Sequence, residues 1–292
     1  MRIEHIAENL VRVVQVSPIS GNINTMELPI RQGQIEYWQA SGELVQNVFP
    51  HLNADEREFL MTGITPEEWS TALERSSPMS DFTVKQAWEE VGGLSKPSKM
   101  PSYGYSLSAY KCIIGAKLRK VKGSTCGGCY ALKGRYVFPN VQDALDRRLE
   151  KVNRNPKWVD AMVFLILWYC IKTKVFRWHD SGDIQSLKHL RMIVQVAEKT
   201  SHIKHWLPTR EVGMVKEYLE KYGDFPSNLV VRISATMVNG MPHKFHKHSS
   251  TVATSADLSL GHLCPAPTQG NKCGDCRACW DTNVSNVTYL EH

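Results

Sequence analysis

Seven of the eight cysteines in this chain fall into two patterns suited to metal binding. Cys264, Cys273, Cys276 and Cys279 form C-x8-C-x2-C-x2-C within CPAPTQGNKCGDCRACW. Short C-x2-C steps bring neighbouring thiolates onto one metal centre, and the intervening glycines and prolines permit the tight turns this requires. Three such cysteines with a distant fourth suit a cubane 4Fe-4S iron–sulfur cluster. Zinc, which favours two separated C-x2-C knuckles, is the alternative. Cys112, Cys126 and Cys129 form C-x13-C-x2-C, the last two inside CGGCYA. Three thiolates can hold three irons of a four-iron cluster and leave the fourth open to an exogenous ligand. Alternatively, Cys126 and Cys129 join two C-terminal cysteines around a single zinc. Cys170, within an apolar stretch, reads as a packing thiol. His243, His246 and His248 are further ligand candidates, although PHKFHKH reads equally well as a solvated basic loop.

A second set of chemically capable residues follows short apolar runs. VFRW (175–178) leads into HDSGD, IKHWLP (203–208) into TRE, and NLVVRIS (228–234) into ATMVNGMPHK. Helical stretches from Ile184 to about Lys199 and from Glu211 to about Tyr222 separate these runs. Strand, polar loop and helix in repetition predict an α/β fold of βα units forming a partial barrel or parallel sheet with cysteine-rich loops. In such folds ligands bind at the carboxyl ends of the strands. That rule nominates His179, Asp180, Asp183 and Glu211 for catalysis, with Ser181, Gly182, Thr209 and Arg210 for substrate or cofactor binding. Arg210 suits a small anionic ligand, because its planar donors take a carboxylate or phosphate bidentately. His179 could move protons near neutral pH. The plainer alternatives are that Asp180 or Ser181 caps a helix and that Arg210 pairs with Asp183 in a structural salt bridge.

Charge divides the chain of 292 residues into two parts. Residues 1–78 hold 5 Lys+Arg against 11 Asp+Glu, a net of −6, and residues 79–292 carry a net of +12. All the cysteines lie in the basic part. SSP (76–78) reads as a linker and Met79-Ser80-Asp81 as a fresh start. The first part is expected to be a small, mainly helical acidic module. Gln32 to Phe49 has helical spacing, Asn53 and Glu56 stand in capping-box positions with Gly63 as the stop, and Thr65-Pro66-Glu67-Glu68 opens another helix. Ile3 to Val16 reads as a strand or short helix, and SPISGNINT (17–25) as a loop. Farther on, Val141 to Val152 reads as a helix, and Pro156 starts a long apolar helix through Cys170.

Composition bounds the function classes. An apolar fraction of 42% and a charged fraction of 22% exclude wholesale disorder. The longest apolar run, Ala161 to Ile171, falls short of the roughly 20 residues that span a membrane. The N-terminal MRIEHIAENLVRVVQ lacks signal-peptide character, so a cytoplasmic location with reduced thiols is expected. A net of +12 could attract nucleic acid or anionic cofactors, but no Lys/Arg block exceeds two residues.

CGGCYALKGRY, RWHDSGDI, HWLPTRE, NLVVRIS and CPAPTQGNKCGDCRACWD, spread from Met79 onward, resemble the gene-product-88-like family of tailed-phage proteins. This resemblance implies a cysteine-bound metallocluster in an infected host cell. Leu44–Trp69 resembles a short uncharacterised phage protein, which implies no chemistry; with no cysteine or catalytic cluster, the acidic module is expected to be an adaptor towards a host or phage protein. A looser likeness is to radical S-adenosylmethionine enzymes, whose partial barrel carries a three-cysteine motif ending C-x2-C beside an aromatic, as in Cys126-Gly-Gly-Cys129-Tyr130. That likeness implies S-adenosylmethionine as a cofactor, with VFRWHDSGDI contacting it. Here the first cysteine spacing is 13 residues and Ser-Gly-Asp stands in place of Gly-Gly-Glu-Pro. A non-enzymatic zinc or iron–sulfur protein that docks nucleic acid or a host factor is the competing expectation.

Overall fold

A computed structural model describes residues 1–68 and 82–291. The expected linker and fresh start at 76–81 lie outside these residues. The chain forms two compact units, Met1–Ser77 and Pro78–His292.

The first unit is mixed rather than mainly helical. Strands β1 (Arg2–Ala7), β2 (Leu10–Val16) and β3 (Ile23–Leu28) form an antiparallel sheet in sequence order. In β2, buried Val11 and Val13 alternate with exposed Arg12, the period-two pattern of a half-buried strand. The expected loop at 17–25 therefore ends early, because β3 begins at Ile23. Helix α1 (Gln32–Ser41) stops at Gly42, whose φ of 68° breaks the predicted Gln32–Phe49 helix in two. Short α2 (Val45–Val48) follows, and α3 (Ala54–Thr62) starts with the Asn53–Glu56 capping box and ends at Gly63. Beyond the helical turn at 66–68, the helix predicted from Thr65 runs outside the described residues. Val11, Val13, Leu28, Ile35, Phe49, Phe59 and Leu60 form the core of this unit.

The second unit is built on a seven-stranded sheet. Its strands are β4 (Gly104–Tyr105), β5 (Val175–Trp178), β6 (Lys204–Thr209), β7 (Leu229–Val238), β8 (Ser249–Ala253), β9 (His262–Leu263) and β10 (Asn286–Leu290). They are ordered β4-β5-β6-β7-β8-β10-β9, and every pairing is parallel. Helices α4 (Val84–Val91), α5 (Ile113–Leu118), α6 (Pro139–Arg154), α7 (Trp158–Cys170), α8 (Leu187–Lys199) and α9 (Val212–Tyr222) complete the unit. The strand predicted at 228–234 continues to Val238, into what the sequence suggested was loop.

Alternation along the strands explains the two faces. Phe176, Trp178, Leu207, Val231 and Ile233 point into one core with side chains of α4, α7, α8 and α9. Val175, Trp206 and Val287 point the other way, onto the 3₁₀ turn Ala278–Trp280 of the C-terminal cysteine segment. The rings of Trp206 on β6 and Tyr289 on β10 stack on that face with centroids 6.5 Å apart, their side chains leaning together across the two strands between them. Cys170 is fully buried in α7, where its thiol meets Ser102 Oγ at 3.2 Å, as expected of a packing residue.

Candidate functional site

The loops after β4, β5 and β6 are tied into one assembly. The amide of Leu107 donates to the Ser181 carbonyl at 2.9 Å, and Ser181 Oγ donates to the Leu107 carbonyl at 2.8 Å. Gly182 makes this approach feasible. Its φ is 81°, and a Cβ there would stand 2.7 Å from Leu107 Cβ and from the Leu107 carbonyl oxygen. The geometry thus gives Ser181 and Gly182 a packing job, that of setting the chain that leads to Cys112.

Asp183 is buried, with both carboxylate oxygens engaged. Oδ1 accepts from Thr209 Oγ1 at 2.6 Å and the Ile184 amide at 2.8 Å, and Oδ2 accepts from the Arg210 amide at 2.9 Å. Burial pushes its pKa upward against these hydrogen bonds. The expected Asp183–Arg210 salt bridge does not form among the described residues. Arg210 Nη2 donates instead to Thr125 Oγ1 at 2.7 Å, next to Cys126. Glu211 is also buried, and its Oε1 accepts the Ile114 amide at 3.0 Å, in the first turn of α5 directly after Cys112.

The three cysteines Cys112, Cys126 and Cys129 gather beside these loops. A Cβ at Gly115 would stand 3.6 Å from Cys112 Sγ and 3.7 Å from Cys126 Sγ, so the two sulfurs face one small space. Burial first, then Asp183 and the Cys129 and Cys126 thiols, push Cys112 up to about 12, with Arg210 opposing. Cys126 is raised in the same way, burial leading and Arg210 opposing. The second group also converges. Cys264 and Cys276 raise the Cys273 thiol after burial, and Cys279, pushed up to about 12 by burial, meets Tyr289 Oη at 3.1 Å. Cys276 Sγ lies 3.5 Å from His262 Nε2, a neighbour the sequence patterns do not single out.

Among the described residues, no three His, Cys, Asp or Glu side chains converge tightly enough to share one metal ion. Four ligands of one zinc must all stand about 2.0–2.3 Å from it. A cubane ties each thiolate to a different iron and so separates its ligands further. The donor sets are all sulfur, a chemistry that suits an iron–sulfur cluster and zinc alike.

Several polar groups at the strand ends are unpartnered. Seven buried side-chain atoms among the described residues lack a hydrogen-bond partner, and five of them are Arg177 Nε, His179 Nδ1 and Nε2, Asp180 Oδ1 and Arg210 Nε. His179 follows β5 with a φ of 52°, unusual for a residue with a Cβ. Its ring packs edge-on against His189, with centroids 5.3 Å apart. Burial, reinforced by His189 and Arg177, pushes its pKa well below the usual imidazole range. The expectation that His179 exchanges protons near neutral pH is thus corrected: desolvation keeps this ring neutral. Asp180 Oδ2 accepts from Tyr136 Oη at 2.7 Å, and its carbonyl accepts from Tyr130 Oη. Both tyrosines come from CGGCYALKGRY, so that motif docks onto the loop after β5. Arg177 lies over the Trp206 ring, 4.3 Å from its centroid. His243, His246 and His248 are not joined by a third ligand type; His248 Nε2 contacts the Thr282 carbonyl at 2.9 Å.

These features define an α/β protein whose parallel sheet presents polar loops and a cysteine trio along its carboxyl edge, with a second cysteine group on the face that carries Val175, Trp206 and Val287. Residues 82–282 match the sequence profile of the family described as Gene product 88, and the chain belongs to that family. No curated protein and no solved structure matches it significantly.

Proposed function

We propose that this is a phage-type iron–sulfur protein in which a cluster on Cys112, Cys126 and Cys129 adjoins a binding site for a polar small molecule at the ends of β5 and β6. The observation that carries this reading is the buried, unpartnered Nε of Arg210 beside the cysteine trio, together with Asp180, whose Oδ1 is likewise unpartnered and which is tied to Tyr130 and Tyr136 of the CGGC motif. Leaving one such atom unsatisfied costs about 1–3 kcal/mol, so several at one sheet edge suit a site that takes a polar ligand. A bound cluster would supply one-electron redox chemistry, and its open iron would supply Lewis acidity. The chain's own residues divide the remaining work. Arg210 and Arg177 offer donors to an anionic group, Asp180 offers an acceptor, and Asp183, Thr209 and Glu211 hold the loops in register. Cys264, Cys273, Cys276 and Cys279 offer a second cluster site, with Cys279 buried and the other three half-buried. The parallel sheet of βα units is compatible with a partial barrel, in which S-adenosylmethionine is one candidate for the polar ligand.

The test is anaerobic purification with an absorption spectrum and analysis of iron, sulfide and zinc. Brown protein with near-stoichiometric iron and sulfide is expected. Colourless protein containing only zinc would replace this reading with that of a structural zinc protein.

A further inference from the structure

A cleft of about 710 Å³ opens on the far side of the CGGC turn from the loops described above. One wall is the segment after α5, with Arg119, Lys120, Val121, Lys122, Gly127 and Gly128; the other is the end of β7 at Met237–Asn239. Its charge is one-sided, three cations against the single carboxylate of Glu291. None of the three cations joins a salt bridge among the described residues. Arg119 is steadied by a bond from Nη2 to the Ala109 carbonyl at 3.2 Å, whereas Lys120 and Lys122 extend into solvent.

The backbone adds to this. The amides of Lys122, Gly123 and Gly128 donate to no acceptor among the described residues. Gly123 has a φ of 78°, and a Cβ at Gly128 would meet nothing within 4 Å. Glycines that leave amides accessible, set among lysines, make a concavity that favours anions. The volume lies within the range of roughly 300–1,000 Å³ typical of small-molecule sites.

We propose that this cleft binds a small molecule bearing two or more phosphates, such as a nucleoside diphosphate. The phosphates sit against the Lys122–Gly123 and Gly128 amides, with Lys120 and Lys122 neutralising them and Arg119 closing one end. Val121 and Met237 provide the apolar surface for the rest of the ligand.

Calorimetric titration of the full chain with pyrophosphate, with ADP and with a twelve-residue oligothymidylate tests this. Pyrophosphate and ADP should bind, and Lys120→Ala combined with Lys122→Ala should weaken both at least tenfold without changing the melting temperature. Lys216→Ala, on α9, should bind as the unaltered chain does. Should the double variant fold poorly, Val121→Glu, which places a carboxylate in the cleft from an exposed position, should produce the same loss. The proposal is overturned if neither probe binds at millimolar concentration, if the variants bind undiminished, or if only the oligonucleotide binds.

Discussion

Glu211 accepts the amide of Ile114 at 3.0 Å, so the loop that ends β6 holds the turn carrying Cys112, about a hundred residues earlier in the chain. Glu211 in turn receives its own position from Thr209, whose hydroxyl accepts the Glu211 amide at 3.0 Å while donating to Asp183. Hydrogen bonds therefore link Asp183, in the loop after β5, through Thr209 and Glu211 to Ile114, two residues after Cys112.

Glu211→Ala should free Cys112 to move, whereas Glu211→Gln keeps an acceptor for Ile114. The alanine variant is expected to lose about 1–3 kcal/mol of stability, the cost of stranding a buried amide. Alkylation of Cys112 in the metal-free protein, followed by mass spectrometry, should be faster in the alanine variant than in the glutamine one. Equal rates would remove the positioning role.

Gly182→Ala combines a left-handed backbone with a clash against Leu107. A loss of about 2 kcal/mol or more is expected. Chemical denaturation checks it. The same substitution at Gly128, where a Cβ has open space, should be nearly neutral.

Acid should destabilise the second unit through its core histidines. Burial depresses His189 and His205 to about 3, from 6.5. Both are neutral in the fold, and the unfolded chain gains a proton on each below about pH 6.5. Stability therefore falls as the pH drops from 6.5 towards 3, by about 2 kcal/mol per histidine at pH 5. Asp183 and Glu211, raised by burial, act in the opposite direction: their ionisation with rising pH opposes folding. Denaturation at pH 7 and pH 5 should show a smaller difference in His205→Gln than in the unaltered chain.

If the two cysteine groups hold separate clusters, Cys126→Ser should remove about half of the bound iron, and so should Cys276→Ser. Loss of all the iron from either single variant would mean one shared centre. Elemental analysis of anaerobically prepared protein distinguishes the two results.

The sequence showed β5, β6 and β7 because each is a short apolar run halted by polar residues, and the polar residues were those that the sheet edge gathers. It hid β8. Ser249, Ser250 and Thr251 are buried, but hydroxyl bonds to Asn286, Ser234 and Thr288 satisfy them, at 2.8, 3.1 and 3.0 Å. A strand stabilised by hydroxyl pairs has no hydrophobic pattern to read. The N-terminal strands were obscured because Val13 and Val14 are adjacent and blur the alternation. Tyr136 and Arg177 were passed over, and Tyr130 noted only as the aromatic beside C-x2-C, for a different reason. Their importance depends on Asp180 and Trp206, partners far away in sequence that only the fold brings near. The cysteine spacing, by contrast, is local, and the fold brings Cys112 beside Cys126 and Cys264 beside Cys273.

The order of strands sets a timetable for synthesis. β10 is the last strand made, yet it lies between β8 and β9. A ribosome that has reached residue 263 has produced β9 with nothing to pair it to, and the Ala278–Trp280 turn that covers Val175 and Trp206 does not yet exist. The face carrying Val175 and Trp206 stays open until that turn has emerged, and the C-terminal cysteine group cannot reach its final arrangement before β10 has paired with β8 and β9.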